Sequence, residues 1–182
     1  MIPGRNIRLR SIDRDDLPRF VRWFADPEVR THLAQYRPLS LEQEERWFEQ
    51  NLSAEDTQAW AIDALPRGTE SKSWEHIGGC GYHAIDWRNR SGEIGILIGV
   101  KEYWNLGYGT DAVRTLVAWG FSTLNLNRVF LRVYADNPRG IRCYEKVGFQ
   151  LEGRLRQDNF HDGAYRDTLV MAVLRTDWEK KP

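Results

Sequence analysis

Gly107 and Gly109 stand two residues apart in "YWNLGYGTDAV" (103–113), between an apolar run, "EIGILIGV" (93–100), and a stretch whose apolar residues recur at helical spacing. A strand that becomes a helix through paired glycines is a place where an anion can sit. The first N–H groups of a helix have no intrahelical acceptor and carry the positive end of its dipole. Glycine removes the side chain that would keep phosphate oxygens away, so neighbouring N–H groups can surround a pyrophosphate. Three readings fit the pair: a tight turn with no ligand, a dinucleotide site, or a site for another diphosphate. "GYGTDA" satisfies G-x-G-x-x-A, and Asp136 follows the next strand, as the acidic partner of a dinucleotide fingerprint would. Such a fingerprint usually opens a doubly wound domain, whereas about a hundred residues precede this one and a single further helix follows. No Gly-Lys-Ser/Thr follows the turn, which excludes a P-loop.

Other chemistry is sparse. Cys80 and Cys143 are the only cysteines, too few for a disulfide framework or a CxxC metal site. Cys143 lies beside Tyr144 on a predicted helix, but no His–Asp or His–Asn partner for a nucleophilic thiolate is evident. His32, His76, His83 and His161 show no ligand spacing, so no metal is expected. Basic and acidic residues number 26 each, and a net charge near zero gives no global reason to bind nucleic acid or an anionic membrane. "MIPGRNIRLRSI" lacks the apolar core of a signal peptide. No stretch approaches the roughly 18 apolar residues of a membrane span. A cytoplasmic protein with ordinary thiols is the expectation.

The elements that must position the glycine turn can be read from periodicity. "NIRLRSI" (6–12) alternates as a first strand, and Asp13 opens a helix to about Asp26 with Leu17, Phe20, Val21 and Phe24 on one face. "SLEQ" (40–43) is a capping box for a helix running to about Leu52. "QAWAIDAL" (58–65) and "HIGGCGYHAIDW" (76–87) read as strands joined by a polar hairpin loop, "PRGTESKSWE" (66–75). After the turn at 88–92 and the strand at 93–100 come a helix carrying Ala112, Val113, Leu116, Val117 and Phe121, then the strand "RVFLRVYA" (128–135). "NPRGIRCYEKVG" (137–148) is a short helix with Asn at the cap, Pro first inside and Gly just past the end. Two strands around "HDG" (161–163) finish the chain. The 182 residues suggest one domain over 1–182, of the α/β (α+β) class, with a mixed sheet and helices on both faces.

Three segments carry a family resemblance: "EIGILIGVKEYWNLGYGTDAV" (93–113), "LNLNRVFLRVYADNPRGIRCYEKVGF" (124–149) and "EGRLRQDNFHDGAYRDTLVMAVL" (152–174). With the element order, they make the chain similar over essentially its whole length to the GNAT superfamily of N-acetyltransferases. Within it the chain most resembles the ribosomal-protein N-terminal (RimJ/RimL-like) acetyltransferases and their spermidine acetyltransferase relatives. The resemblance implies a single GNAT domain with about seven strands, splayed between the fourth and fifth. It also implies acetyl-CoA as co-substrate, and homodimers are common among such proteins. The family pattern at the turn is Gln/Arg-x-x-Gly-x-Gly/Ala, and this chain has Trp104 where Gln or Arg is usual.

By the same resemblance, the backbone amides of Leu106, Gly107, Tyr108, Gly109 and Thr110 would hold the diphosphate. Ile98, Gly99 and Val100 would pair with the pantetheine amides, which agrees with the need of a splayed strand for partners. Asn137 would touch the cofactor arm as well as cap its helix. Tyr144 would lie beside the cofactor sulfur and assist the leaving thiolate, although the same residue reads equally as a half-buried aromatic. Glu93 would accept the amine proton or bind the amine, with His83 and Asp86 as lesser candidates; a glutamate after "RSG" also suits a plain surface position. The acceptor would bind at 27–40 and 156–165, whose mixed polar and aromatic residues suit a peptide N-terminus or a small polar amine. The expected function is acetyl transfer to a primary amine by direct attack. Its rivals are a non-catalytic acetyl-CoA sensor and a dinucleotide-dependent oxidoreductase.

Overall fold

The computed structural model describes residues 1–67, 73–161 and 163–180. Its strands are β1 (Ile2–Pro3), β2 (Ile7–Arg10), β3 (Gln58–Ala64), β4 (Glu75–Asp86), β5 (Ser91–Ile98), β6 (Arg128–Tyr134), β7 (Gln150–His161) and β8 (Ala164–Leu174). Its helices are α1 (Leu17–Ala25), α2 (Pro27–Arg30), α3 (Leu41–Ser53), α4 (Tyr108–Ser122), α5 (Pro138–Val147) and α6 (Arg175–Glu179). One sheet runs in the order β1-β2-β3-β4-β5-β6-β8-β7. Seven strands were expected and eight are present; the extra one is the two-residue β1, too short to leave an alternation pattern. Every pairing is antiparallel except β5 with β6. A lone parallel pair joined through α4 is not a doubly wound domain, which removes the structural basis of the dinucleotide reading. Half of the hairpin loop expected at 66–75, residues 68–72, and the centre of "HDG", Asp162, lie outside the described residues.

Side-chain parity on β4 places the helices. Gly79 faces the Phe20 ring of α1, against which an added Cβ would sit 2.8 Å away. Tyr82 has opposite parity and donates its hydroxyl to the Leu116 carbonyl of α4 at 3.1 Å. Successive strand residues point to opposite faces, so α1 and α4 cover opposite faces of the sheet. Buried Ile7, Leu9, Ile62, Ile77, Ile94, Val113, Leu116, Val117, Leu131 and Met171 belong to one core cluster.

The local capping chemistry is as the sequence reads. Ser40 Oγ accepts from Gln43 N (3.2 Å) while Gln43 Oε1 accepts from Ser40 N (2.9 Å). The Asn137 side chain accepts from Gly140 N at 2.9 Å and starts α5 where β6 ends. The helix predicted over 13–26 is broken instead into a 3-10 turn at Arg14–Asp16 and α1. Asp16 there is drawn to the sheet by Arg10, whose Nη1 and Nη2 reach its carboxylate at 2.6 and 2.8 Å. Replacing Asn137 with Ala removes the α5 cap, a loss of about 1 kcal/mol. The melting temperature should fall by about 2–4 °C in a thermal scan.

Candidate active site

β5 and β6 pair from Ser91–Arg128 to Glu93–Phe130 and no further, although both strands continue. Beyond Glu93 they part, and the edge of β5 that faces β6 has no strand partner. A cavity of about 1220 Å3 opens there, lined by β3, β4, β5 and β6, by α1 and α3, by the first turn of α4 and by α5. Strand edges without partners need other donors and acceptors, and an extended amide chain can supply them.

The head of α4 faces the same cavity. Gly107, its N-cap, has φ +89°, and no side chain caps the helix. The left-handed backbone selects glycine, and a Cβ there would meet nothing within 4 Å. Gly107, Gly109 and Thr110 line the cavity. Leu106 is exposed, and the Tyr108 side chain turns away, donating its hydroxyl to the Leu65 carbonyl at 2.8 Å. Those two residues have only backbone to offer to the cavity.

The expected contacts at 98–100 need correction. The N–H groups of Gly99 and Val100 both bond to the Ile77 carbonyl (2.8 and 3.2 Å), and the Val100 carbonyl takes the Tyr103 N–H at 3.1 Å. The Gly99 and Val100 N–H groups are therefore spent, and the Val100 carbonyl already accepts one bond. The Ile98 carbonyl accepts from the Trp104 indole at 2.8 Å. The partnerless edge lies earlier, over residues 94–98. Trp104 also carries the Arg139 guanidinium stacked on its ring, 3.8 Å from the centroid. The sequence reading missed Arg139, since nothing local marks a cation that is set by an aromatic ring on another element.

Tyr144 of α5 lines the cavity, and among the described residues no protein group bonds its hydroxyl. Desolvation holds its phenol above the ordinary value, with neighbouring Cys143 adding to the shift, so the hydroxyl keeps its proton. Burial also raises the Cys143 thiol, against the hydrogen bond from Thr110 at 3.5 Å. A thiol held protonated is a poor nucleophile.

Across the cleft, His83 and Glu93 sit on neighbouring strands. The β4–β5 register slips between Tyr82 and Ala84, which makes His83 a bulged residue and re-aims its ring into the cavity. The ring lies over Gly95, where a Cβ would be 2.3 Å from it. His83 is open to the cavity yet surrounded by protein. Desolvation lowers its pKa, opposed by Glu93 and aided by Arg132, and leaves it neutral near pH 7. Arg132 Nε of β6 stands 3.8 Å from Glu93 Oε1. Asp86 is corrected: it accepts from the Asn89 backbone N–H (2.8 Å) and side-chain amide (2.7 Å) in the turn after β4, and does not line the cavity.

Comparison with known proteins decides the family. Residues 6–150 match the family described as acetyltransferase (GNAT) domain. The chain belongs to that family. It is 29% identical to the uncharacterized N-acetyltransferase p20 of Bacillus licheniformis, over 94% of each chain. It is 34% identical to the putative ribosomal N-acetyltransferase YdaF of Bacillus subtilis, over 53% of this chain and 52% of that one. In fold it resembles the spermidine N-acetyltransferase of Vibrio cholerae solved with CoA and spermine, with TM-score 0.85 and 22% identity over 96% of this chain and 99% of that chain.

This GNAT chain is an N-acetyltransferase, an acyltransferase that draws its acetyl group from acetyl-CoA. The residues present fit that co-substrate: open space and uncapped amides at Gly107, an unpaired strand edge, and Arg139, Arg142 and Lys146 along the α5 wall. Among the described residues no three His, Cys, Asp or Glu side chains are grouped to hold a metal ion, and no helix is long and apolar enough to cross a membrane. Of the segments expected to bind the acceptor, His32, Leu33, Ala34, Gln35 and Leu39 line the cavity, as do Asp158 and Asn159. Phe160 and Tyr165 do not; they are exposed and pack on each other.

Glu44 of α3 escaped the sequence reading, because a glutamate inside "LEQEERWFEQ" looks like a solvated helix position. It is only 4% exposed and lines the cavity. Desolvation alone pushes its carboxyl from 4.5 to about 7. The folded state therefore holds that proton more tightly than the unfolded chain. The associated stability is present below pH 4.5 and is lost as the pH rises through 7, an order-of-magnitude effect of roughly 3 kcal/mol at most. Glu44→Gln should leave the melting temperature at pH 5 nearly unchanged and raise it by several degrees at pH 8, as measured by scanning calorimetry.

Proposed function

We propose that this acetyltransferase moves the acetyl group straight from acetyl-CoA to a primary amine, with both substrates held in the cavity at once. What carries the reading is the pairing of two walls in one cleft: a protonated Tyr144 on α5 and the His83–Glu93 pair on β4 and β5. Cys143 and Cys80, both with raised pKa, give no support to a covalent acyl-enzyme. The acceptor is a small polar amine or a peptide N-terminus. The relatives named for spermidine and for ribosomal proteins fall in those two classes.

The roles follow from charge. The amides of Leu106, Gly107, Tyr108, Gly109 and Thr110 hold the diphosphate at the head of α4, with Arg139 as a nearby cation. The β5 edge up to Ile98 and Gly99, with Asn137 opposite, aligns the pantetheine arm. The neutral amine attacks the thioester carbonyl, forming the C–N bond; the C–S bond breaks to release a thiolate, and the nitrogen's remaining extra proton passes to that sulfur or to water, leaving the amide and the CoA thiol. An alkyl ammonium near pKa 10.4 must first lose a proton, and Glu93 with neutral His83 accepts it, directly or through water. Tyr144 donates a hydrogen bond to the sulfur as charge develops. Full proton transfer from phenol to thiolate is uphill by about 2 kcal/mol in water, and burial of Tyr144 makes it more so. Donation without complete transfer is the cheaper route.

Free-thiol release from acetyl-CoA with a panel of amines tests the activity; a mere sensor would release none above background. Tyr144→Phe should lower kcat by about 10²-fold while the KM for acetyl-CoA stays within about twofold. Gly107→Val should raise the KM for acetyl-CoA at least about tenfold, because its side chain enters the space at the head of α4 and its backbone must hold φ +89°.

A further inference from the structure

Glu44 has a place in the cavity but no partner in the protein. Gln43, Glu44, Trp47, Gln50 and Asn51 present one face of α3 to the cavity, and Phe20 and Phe24 of α1 line it beside them. Among the described residues no hydrogen bond or ion pair reaches the Glu44 carboxylate, although glutamine and asparagine amides share its helix face. A buried carboxylate left unpaired is costly, and its persistence inside a binding cavity points to a cationic ligand. In the proposed reaction the nitrogen that reacts has its proton acceptors, Glu93 and His83, at the β5 cleft. Glu44 stands on a different wall, on a helix rather than the sheet, with aromatic side chains that suit methylene groups between.

We propose that Glu44 is the counter-ion for a second, non-reacting ammonium group of the acceptor, so that the enzyme selects small aliphatic diamines over monoamines. The proposal rests on the direct-transfer reading for turnover, but binding at Glu44 can be read without it. The probes are cadaverine and pentylamine, which differ in one terminal ammonium. They are applied to the wild-type chain, Glu44→Gln and Glu44→Met. Thermal shift with each amine alone reads binding, and thiol release with acetyl-CoA reads turnover.

Cadaverine should raise the wild-type melting temperature and pentylamine should not, and both variants should lose the cadaverine shift while starting from a higher melting temperature at pH 8. The kcat/KM ratio of cadaverine to pentylamine should be at least about tenfold in the wild type and fall to near one in the variants. A ratio unchanged by Glu44→Gln, or a cadaverine shift that survives it, overturns the proposal. So does a lower melting temperature in both variants, which would make Glu44 a structural residue, and so does turnover of peptide N-termini by a wild type that shows no cadaverine shift. A Glu44-dependent cadaverine shift without thiol release would uphold the site and sink the transfer reading instead.

Discussion

The structure depends on one interrupted ladder. Among the described residues β5 and β6 are the only parallel neighbours, and their register ends at Glu93–Phe130. Past that point the head of α4 packs against the end of β5. An added Cβ at Gly109 would lie 3.8 Å from Ile98 Cγ1 and 4.0 Å from Cys143 Sγ, so the helix start is packed between the end of β5 and α5. That packing sets uncapped helical amides beside the opening where the strands part. Strand edges and helix start are two sets of unsatisfied backbone groups brought to one place. One ligand with amides along its arm and phosphates at its end satisfies both sets.

The charges in the cavity follow this geometry. Arg139, Arg142 and Lys146 line it from α5, with the positive end of α4 beside them, while Glu44, Glu93 and Asp158 line it from α3, β5 and β7. Arg132 of β6 is the exception, standing beside Glu93, so most of the cations gather at α5 and the acids lie on other walls. Acyl transfer profits from that division. The amine must shed a proton near the acids, and the thiolate must be met by a donor that remains protonated. Burial sets both conditions, lowering His83 and raising Tyr144.

Much of the scaffold was legible because its signals are local. The Ser40–Gln43 capping box, the Asn137 cap, the glycine turn at 107–109 and the alternation of the strands each depend on residues a few positions apart, and each formed as read. The two-residue β1 was too short to show. The family segments pointed to Tyr144, Glu93 and the turn amides; Tyr144, Glu93, Gly107, Gly109 and Thr110 line one cavity, while Leu106 and Tyr108 do not. What stayed hidden is set by pairs distant in sequence. The stacking of Arg139 on Trp104, the capture of the Gly99 and Val100 amides by Ile77, and the slip that aims His83 are consequences of register and packing. Asp86 looked available for chemistry because a strand-end aspartate and a turn aspartate have the same letter; the Asn89 bonds decide between them.

The treatment of buried charge elsewhere in the chain shows why Glu44 stands apart. Asp16 and Asp63 are about as buried as Glu44, yet both are matched. Arg10 bridges the two carboxylates, Arg8 reaches Asp63 at 2.9 Å, and His76 Nδ1 lies 3.0 Å from Asp16. Burial alone would raise the Asp16 pKa, but the bonds from Arg10 and from the Asp13 backbone bring it below its ordinary value. Where a buried acid holds β2, β3 and the turn before α1 together, the sequence provides its cations. On α3 it provides none, and the Glu44 carboxyl shifts in the opposite direction. Two acids that respond to the same burial with opposite shifts differ in what stands beside them. A fold that pairs its structural carboxylates with arginine, and leaves one bare against a cavity, has kept that one for a cation that arrives from solution.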